Sequence, residues 1–224
     1  MDKCAAVLPG LCTDIVNQKK RSGRVSVYID GVYFDGFSRE VIHKNHIQKG
    51  DTITADLYKQ LVHDEYHFKL REQIFRWLSF RDHSVGEITS KSLAKGYSKE
   101  VIDHCINYFL DKGLLDDAAF ARQFAASKAA ASCWGPLKIR AALSQKGIKK
   151  HYIDAELNDL FPNNSSFNDL LAAARGIKNR LMRTDPGSKR KKKLANFLVR
   201  RGFSGHLVLE HIEGVLNNLE NEET

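Results

Sequence analysis

The sequence predicts a mainly α-helical protein: three tandem three-helix repeats in an elongated array, preceded by a small N-terminal α/β segment with a β-hairpin. Three observations predict it. A basic residue, a Gly and an apolar residue recur together at Lys95-Gly96-Tyr97, Lys146-Gly147-Ile148 and Arg201-Gly202-Phe203, with the glycines 51 and 55 residues apart. Such self-similarity marks stacked supersecondary units. The flanks repeat as well: Ile88, Ile139 and Leu194 stand eight residues before each Gly, Ile102, Ile153 and Val208 six after, and Ile106, Leu157 and Ile212 ten after. Near the N-terminus the period is two instead, with Val25, Val27 and Ile29 alternating with Arg24, Ser26 and Tyr28.

In chain order, residues 1–20 carry no periodicity and are expected to form a loose terminus. Residues 21–64 hold the N-terminal hairpin and helices. The Asp30-Gly31 pair supplies a two-residue turn that admits positive φ, and Val32, Tyr33 and Phe34 lead back. Ser38 caps a short helix through His46, and Thr54 caps a longer one. Repeat 1 is placed at 65–114. Its first helix carries Leu70, Ile74, Trp77 and Leu78 on one face, Ser84 and Glu87 form a capping box for the second, and Ser98 caps the third. Repeat 2 spans 115–163, opening at Asp116 and restarting at Pro136, a favoured first helical position. Repeat 3 spans 164–219, opening at Ser165 or Ser166, running to about Met182, restarting after Asp185-Pro186-Gly187 and ending in a helix capped by Ser204. Residues 220–224 form an acidic tail that either frays or folds back over basic residues. Each repeat is too small to hide its apolar face alone, so neighbours pack together.

The length of 224 residues and a hydrophobic fraction of 42% allow packed cores. A formal charge of +8 points to an anionic partner, nucleic acid before membrane. Cys4, Cys12, Cys105 and Cys133 form no C-x-x-C pair and no metal-ligand spacing, which suggests reduced thiols and a cytoplasmic setting. No stretch approaches the roughly 18 apolar residues that a membrane span requires. No cofactor is expected.

The segment KGYSKEVIDHCINYFLDKGLLDDAAFARQF (95–124) followed by GPLKIRAALSQKGI (135–148) resembles the RecX regulatory family, and REQIFRWLSFRDHSVGEI and FLVRRGFS extend the match over about residues 66–216. The resemblance implies a bacterial, cytoplasmic, non-catalytic modulator of the recombinase RecA. It implies a monomer whose helical repeats lodge in the groove of the RecA filament on single-stranded DNA and restrain strand exchange, ATP hydrolysis and co-protease function. Ser92 departs from the pattern, standing where the other repeats have Leu143 and Leu198. Looser packing, or a shift of register onto Leu93, is expected there.

The candidate contacts are basic. From Arg175 to Arg201 eleven basic residues face Asp185 alone. Within this span Lys189, Arg190, Lys191, Lys192 and Lys193 open a helix, where the macrodipole is already positive and each cation costs on the order of 0.3–1 kcal/mol. A bound polyanion would reverse that sign; a solvated charge run is the alternative. Arg200 and Arg201 follow. A second set, Lys138, Arg140, Lys146, Lys149 and Lys150, lies in repeat 2, with Lys138 and Arg140 turned outward from Ile139. Asp116 and Asp117 read as helix caps rather than a metal-dependent nuclease site, and His63 and His67 as a surface pair. Trp77 and Trp134 read as core or interface anchors rather than stacking platforms. A free-standing helix-turn-helix DNA-binding protein is the alternative function.

Overall fold

The computed structural model describes residues 8–162, 166–184 and 187–222. Among these are four strands and eleven helices. The chain divides into two compact units, residues 1–81 with 92–109, and residues 82–91 with 110–224.

The first unit is built on a sheet of order β3-β2-β1-β4, all pairs antiparallel. Strands β2 (Arg24–Ile29) and β3 (Val32–Ser38) form the expected hairpin, with Asp30 and Gly31 both at positive φ. Strand β1 (Gly10–Asn17) corrects the expectation of a loose terminus over residues 1–20: it lies between β2 and the two-residue β4 (Thr52–Ile53). A break in register between Cys12 and Asp14 reverses which side chains face inward partway along β1, so no period of two survives in its sequence. The inner face of β2 packs Val25, Val27 and Ile29 against Phe37, Val41, Ile42 and Leu61.

Helix α1 (Arg39–Lys44) stops before His46, which takes positive φ. Its flanking Ser38 caps nothing, because both its N–H and its hydroxyl donate to Glu65, at 2.8 and 3.2 Å. Helix α2 (Ala55–Phe80) is capped by Thr54 as expected and is continuous, so the boundary placed between residues 64 and 65 falls inside it. Helices α3 (Val85–Ala94) and α4 (Lys99–Asp111) follow. Ser84 and Glu87 make the expected reciprocal capping bonds. Ser92 is fully buried while Leu93 is 52% exposed, so the register does not shift; the Ser92 hydroxyl has no hydrogen-bond partner.

The second unit continues with α5 (Asp117–Ser132), α6 (Pro136–Gln145) and α7 (Lys150–Leu160). Asp116 caps α5 through the Ala118 and Ala119 N–H groups, and Asp117 accepts from the Val85 N–H at 2.9 Å, so both carboxylates serve as caps. Repeat 3 differs from expectation. Its first helix breaks at Gly176 and Ile177 into α8 (Phe167–Arg175) and α9 (Lys178–Met182). Of the expected starting residues, Ser166 bonds the Asp169 carboxylate, while Ser165 lies outside the described residues, as do Asp185 and Pro186. Helix α10 (Ser188–Arg201) and helix α11 (Gly205–Asn221, capped by Ser204) complete the fold.

The nine flanking positions around the three glycines are all buried. Within the second unit, adjacent repeats meet at glycines. Gly86 abuts Gly147, and the Ser84 hydroxyl donates to the Lys146 carbonyl at 2.6 Å. Gly135 abuts Gly202, and its N–H donates to the Arg201 carbonyl at 2.7 Å. The start of one repeat's middle helix thus docks on the Gly turn of the next.

Candidate nucleic-acid interface

Two basic grooves lie in the second unit. The first, about 580 Å³, is lined in repeat 2 and the start of α3 by Glu87, Lys91, Phe124, Lys128, Trp134 and Lys146, among others. Its floor is made by a reversal of the chain. Cys133 adopts a left-handed conformation at the end of α5, and the Trp134 N–H then donates to the Lys128 carbonyl at 3.1 Å, folding the indole back beside Phe124. Lysines flank these rings: Lys138 Nζ lies 4.5 Å and Lys128 Nζ 5.3 Å from the Trp134 ring centre, and Lys146 Nζ 5.4 Å from that of Phe124. In each such contact the ring's negative face attracts the ammonium. The result is a band in which cations and aromatic faces interleave, chemistry suited to phosphates and bases or to an acidic protein surface. Trp134 is therefore half-buried, packed against the core of repeat 2 as an anchor and set among basic and aromatic side chains.

The second groove, about 480 Å³, lies between the α8–α9 turn and α10, and is lined by Arg175, Lys178, Arg180, Phe197 and Arg201 among others. Arg201 is fixed there, donating to the Ser132 carbonyl and lying 4.9 Å from the Phe197 ring centre.

The remaining sequence candidates are dispersed. Arg140 pairs with Asp154 and ties α6 to α7. Lys146 also pairs with Glu87 at 2.6 Å, so it serves the repeat joint as well as the band. Lys149 and Lys150 are exposed at the start of α7. In the run opening α10, Arg190 donates to the Met182 and Thr184 carbonyls and to Glu220. Lys193 donates to the Arg180 carbonyl and the Thr184 hydroxyl, and Lys191 pairs with Glu213. Arg190, Lys191 and Lys193 are thus engaged by the fold, because the carbonyl end of α9 and the acidic face of α11 meet them. That corrects the reading of a locally unfavourable run. Lys189, Lys192 and Arg200 are exposed. Of the acidic tail, Glu220 lies within α11 and Glu222 pairs with Arg175 and Lys178, while residues 223 and 224 lie outside the described residues.

Sequence reasoning missed Lys128, and it counted Arg175, Lys178 and Arg180 in the basic span without singling them out as contacts. The spacing of Phe124 and Lys128, one helical turn apart, carried the signal for the first. His67 is buried rather than a surface residue, its ring against His63 and His104. Among the described residues no group of three or more His, Cys, Asp or Glu is arranged to hold a metal ion. Cys12, Cys105 and Cys133 are free, and burial pushes the Cys105 thiol up to about 11. No helix among the described residues is long and apolar enough to cross a membrane.

Comparison with known proteins matches residues 10–54 to the regulatory protein RecX N-terminal domain and residues 116–157 to the RecX second three-helix domain. A regulatory protein RecX of Chlorobium limicola is 34% identical over 135 residues, covering 60% of this chain and 82% of that protein. One of Clostridium botulinum (strain Alaska E43 / Type E3) is 29% identical over 206 residues, covering 92% and 96%. A crystal structure of regulatory protein RecX superposes with a TM-score of 0.73 at 24% identity over 92% of this chain and 99% of its own, which concerns the fold.

Proposed function

The chain belongs to the RecX regulatory family, and on that premise we propose that it is a non-catalytic cytoplasmic regulator that binds the RecA filament on single-stranded DNA and restrains its recombinase, ATPase and co-protease activities. The observation that carries this reading is the band of Lys138, Trp134, Lys128, Phe124 and Lys146 in repeat 2. A nucleoprotein filament presents phosphates, base faces and acidic side chains side by side. Interleaved cations and rings meet all three, whereas the duplex grooves read by a helix-turn-helix protein call for polar side chains at base edges. Arg200, Lys192, Lys149 and Lys150, exposed in the same unit, extend the positive surface.

The test is RecA ATP hydrolysis on single-stranded DNA, measured with and without this chain. The proposal expects hydrolysis to fall as the chain is added. Unchanged hydrolysis together with sequence-selective duplex binding would favour the helix-turn-helix reading, and magnesium-dependent cleavage of the DNA would favour an enzyme.

A further inference from the structure

We infer that the groove lined by Arg175, Lys178, Arg180 and Arg201 is a binding site for the sugar-phosphate backbone of single-stranded nucleic acid, and that Glu222 occupies two of its cations, Arg175 and Lys178, until such a strand displaces it. This rests on the reading that the second unit meets nucleic acid, and it adds a site and an internal competitor to it.

The groove holds four cations and no acidic lining residue. Arginine guanidinium groups bind phosphate oxygens through charge-assisted hydrogen bonds, and Arg175 already makes two such bonds to an internal anion. Its Nε and Nη2 donate to one Glu222 oxygen, at 2.9 and 2.6 Å, while the other lies 3.7 Å from Lys178 Nζ. Beside it, Arg190 holds Glu220 at 2.6 Å. A carboxylate outside the groove lining therefore already engages two of its cations, as a phosphate would.

The position of that carboxylate makes it displaceable. Glu220 and Glu222 stand at the C-terminal end of α11, where the macrodipole is negative and the last turn carries no basic residue. The helix itself repels them, and their place is favoured by the cations they pair with, Arg175 and Lys178 for Glu222 and Arg190 beside the groove for Glu220. The strongest contact of Glu222, its pair with Arg175, is solvent-exposed, a class that contributes little to folding and is weakened by salt. Arg180, also on the groove wall, is exposed. The carboxylates thus behave as tethered counterions, and a nucleic-acid strand would release them as it releases mobile ions.

The test is fluorescence anisotropy of a labelled oligothymidylate titrated with the full chain at several salt concentrations, without RecA. Three further proteins are compared, each checked for folding by its melting curve. Glu220→Gln/Glu222→Gln frees Arg175 and Lys178 of the groove and Arg190 beside it. Glu72→Gln/Asp159→Asn makes the same change in net charge at exposed sites elsewhere. The third adds Arg175→Gln/Lys178→Gln to the freed groove. The inference expects the first variant to bind several-fold more tightly than the unmodified chain and its salt dependence to steepen by roughly 0.7 log units for each additional phosphate neutralised. The charge control tightens less than half as much, and the third protein returns to the affinity of the unmodified chain or below. Equal affinity of the unmodified chain and the first variant, an equal improvement in the charge control, or no binding by any protein would overturn it. The ATPase assay reads separately: inhibition of RecA with no tighter binding by the freed groove sinks this inference alone, and the reverse pattern sinks the RecA reading alone.

Discussion

Gly86 and Gly147 approach so closely that a Cβ built on Gly86 would stand 2.9 Å from the Gly147 Cα and 2.4 Å from the Lys146 carbonyl oxygen. Gly135 and Gly202 repeat the relationship one repeat further on, where a Cβ on Gly135 would lie 2.6 Å from the Gly202 carbonyl carbon. Gly147 and Gly202 also take positive φ, which L side chains rarely adopt. Gly147 and Gly202 are thus both helix stops and docking surfaces, whereas Gly96 stands in open space as a helix stop alone. Because Lys146 follows the same joint into the aromatic band, the geometry of the joint positions the candidate interface.

Replacing Gly86 by Ala tests the joint. A Gly to Ala change inside a helix ordinarily stabilises it by about 1 kcal/mol. Here the added methyl meets backbone that cannot swing aside, and chemical denaturation should show a loss of about 1–3 kcal/mol. Gly205→Ala, at the start of α11 with open space around the new atom, should be neutral or stabilising. A more stable Gly86→Ala protein would show that the joint yields.

Ser92 offers the opposite sign. Its buried hydroxyl lacks a partner, and a buried unsatisfied polar group costs about 1–3 kcal/mol. Ser92→Ala should raise the denaturation midpoint of the unit that contains it. A lowered midpoint would mean that the hydroxyl is satisfied in solution.

Within the basic run of α10, individual residues should separate. Arg190 closes the carbonyl end of α9 and holds Glu220, so Arg190→Gln should destabilise the protein by about 1.5–3 kcal/mol, the range for hydrogen bonds to charged groups. Lys192 is exposed, and Lys192→Gln should leave the melting temperature within the scatter expected of surface changes. Equal effects of the two would contradict the placement of Arg190.

Glu65 gives the first unit an acid-sensitive tie. Burial raises its carboxyl pKa, but the Ser38 N–H and the Arg24 guanidinium outweigh that and hold it below the ordinary value of 4.5. A depressed folded-state pKa supplies stability that is fully present above 4.5 and is lost as the pH falls through the folded value. Stability measured from about pH 6 downward to about pH 3 should therefore decline, and Glu65→Gln should both lower the plateau and flatten the decline. An unaltered decline in that variant would assign the acid sensitivity to other carboxylates.

Much of the fold was legible because its signals are local. The nine apolar positions around the three glycines, the Ser84–Glu87 capping box and the Asp116 cap each depend on residues within a few turns of one another. What stayed hidden depends on irregular backbone or distant partners. The register break at Cys12 erased the alternation of β1, and the break at Gly176 split a helix whose apolar spacing runs on unbroken. The candidate site was read less well. Lys189 to Lys193 stood out by density alone, yet their surroundings include Glu213 and Glu220, more than twenty residues away. The band around Trp134 depends on the left-handed turn at Cys133, a conformation that nothing about a cysteine signals.

The central claim is that repeat 2 presents its cation and aromatic band to a RecA filament, and the most direct measurement is a titration of RecA-driven strand exchange with the full chain and with Lys128→Gln/Lys138→Gln. A repeat array of this length should span more than one protomer of a helical filament, so the account predicts inhibition at well below one chain per RecA monomer. The folded double variant should require substantially more protein for the same inhibition. No inhibition by the unmodified chain at equimolar amounts would contradict the regulator reading, and identical titrations of the two proteins would contradict the band as its contact surface.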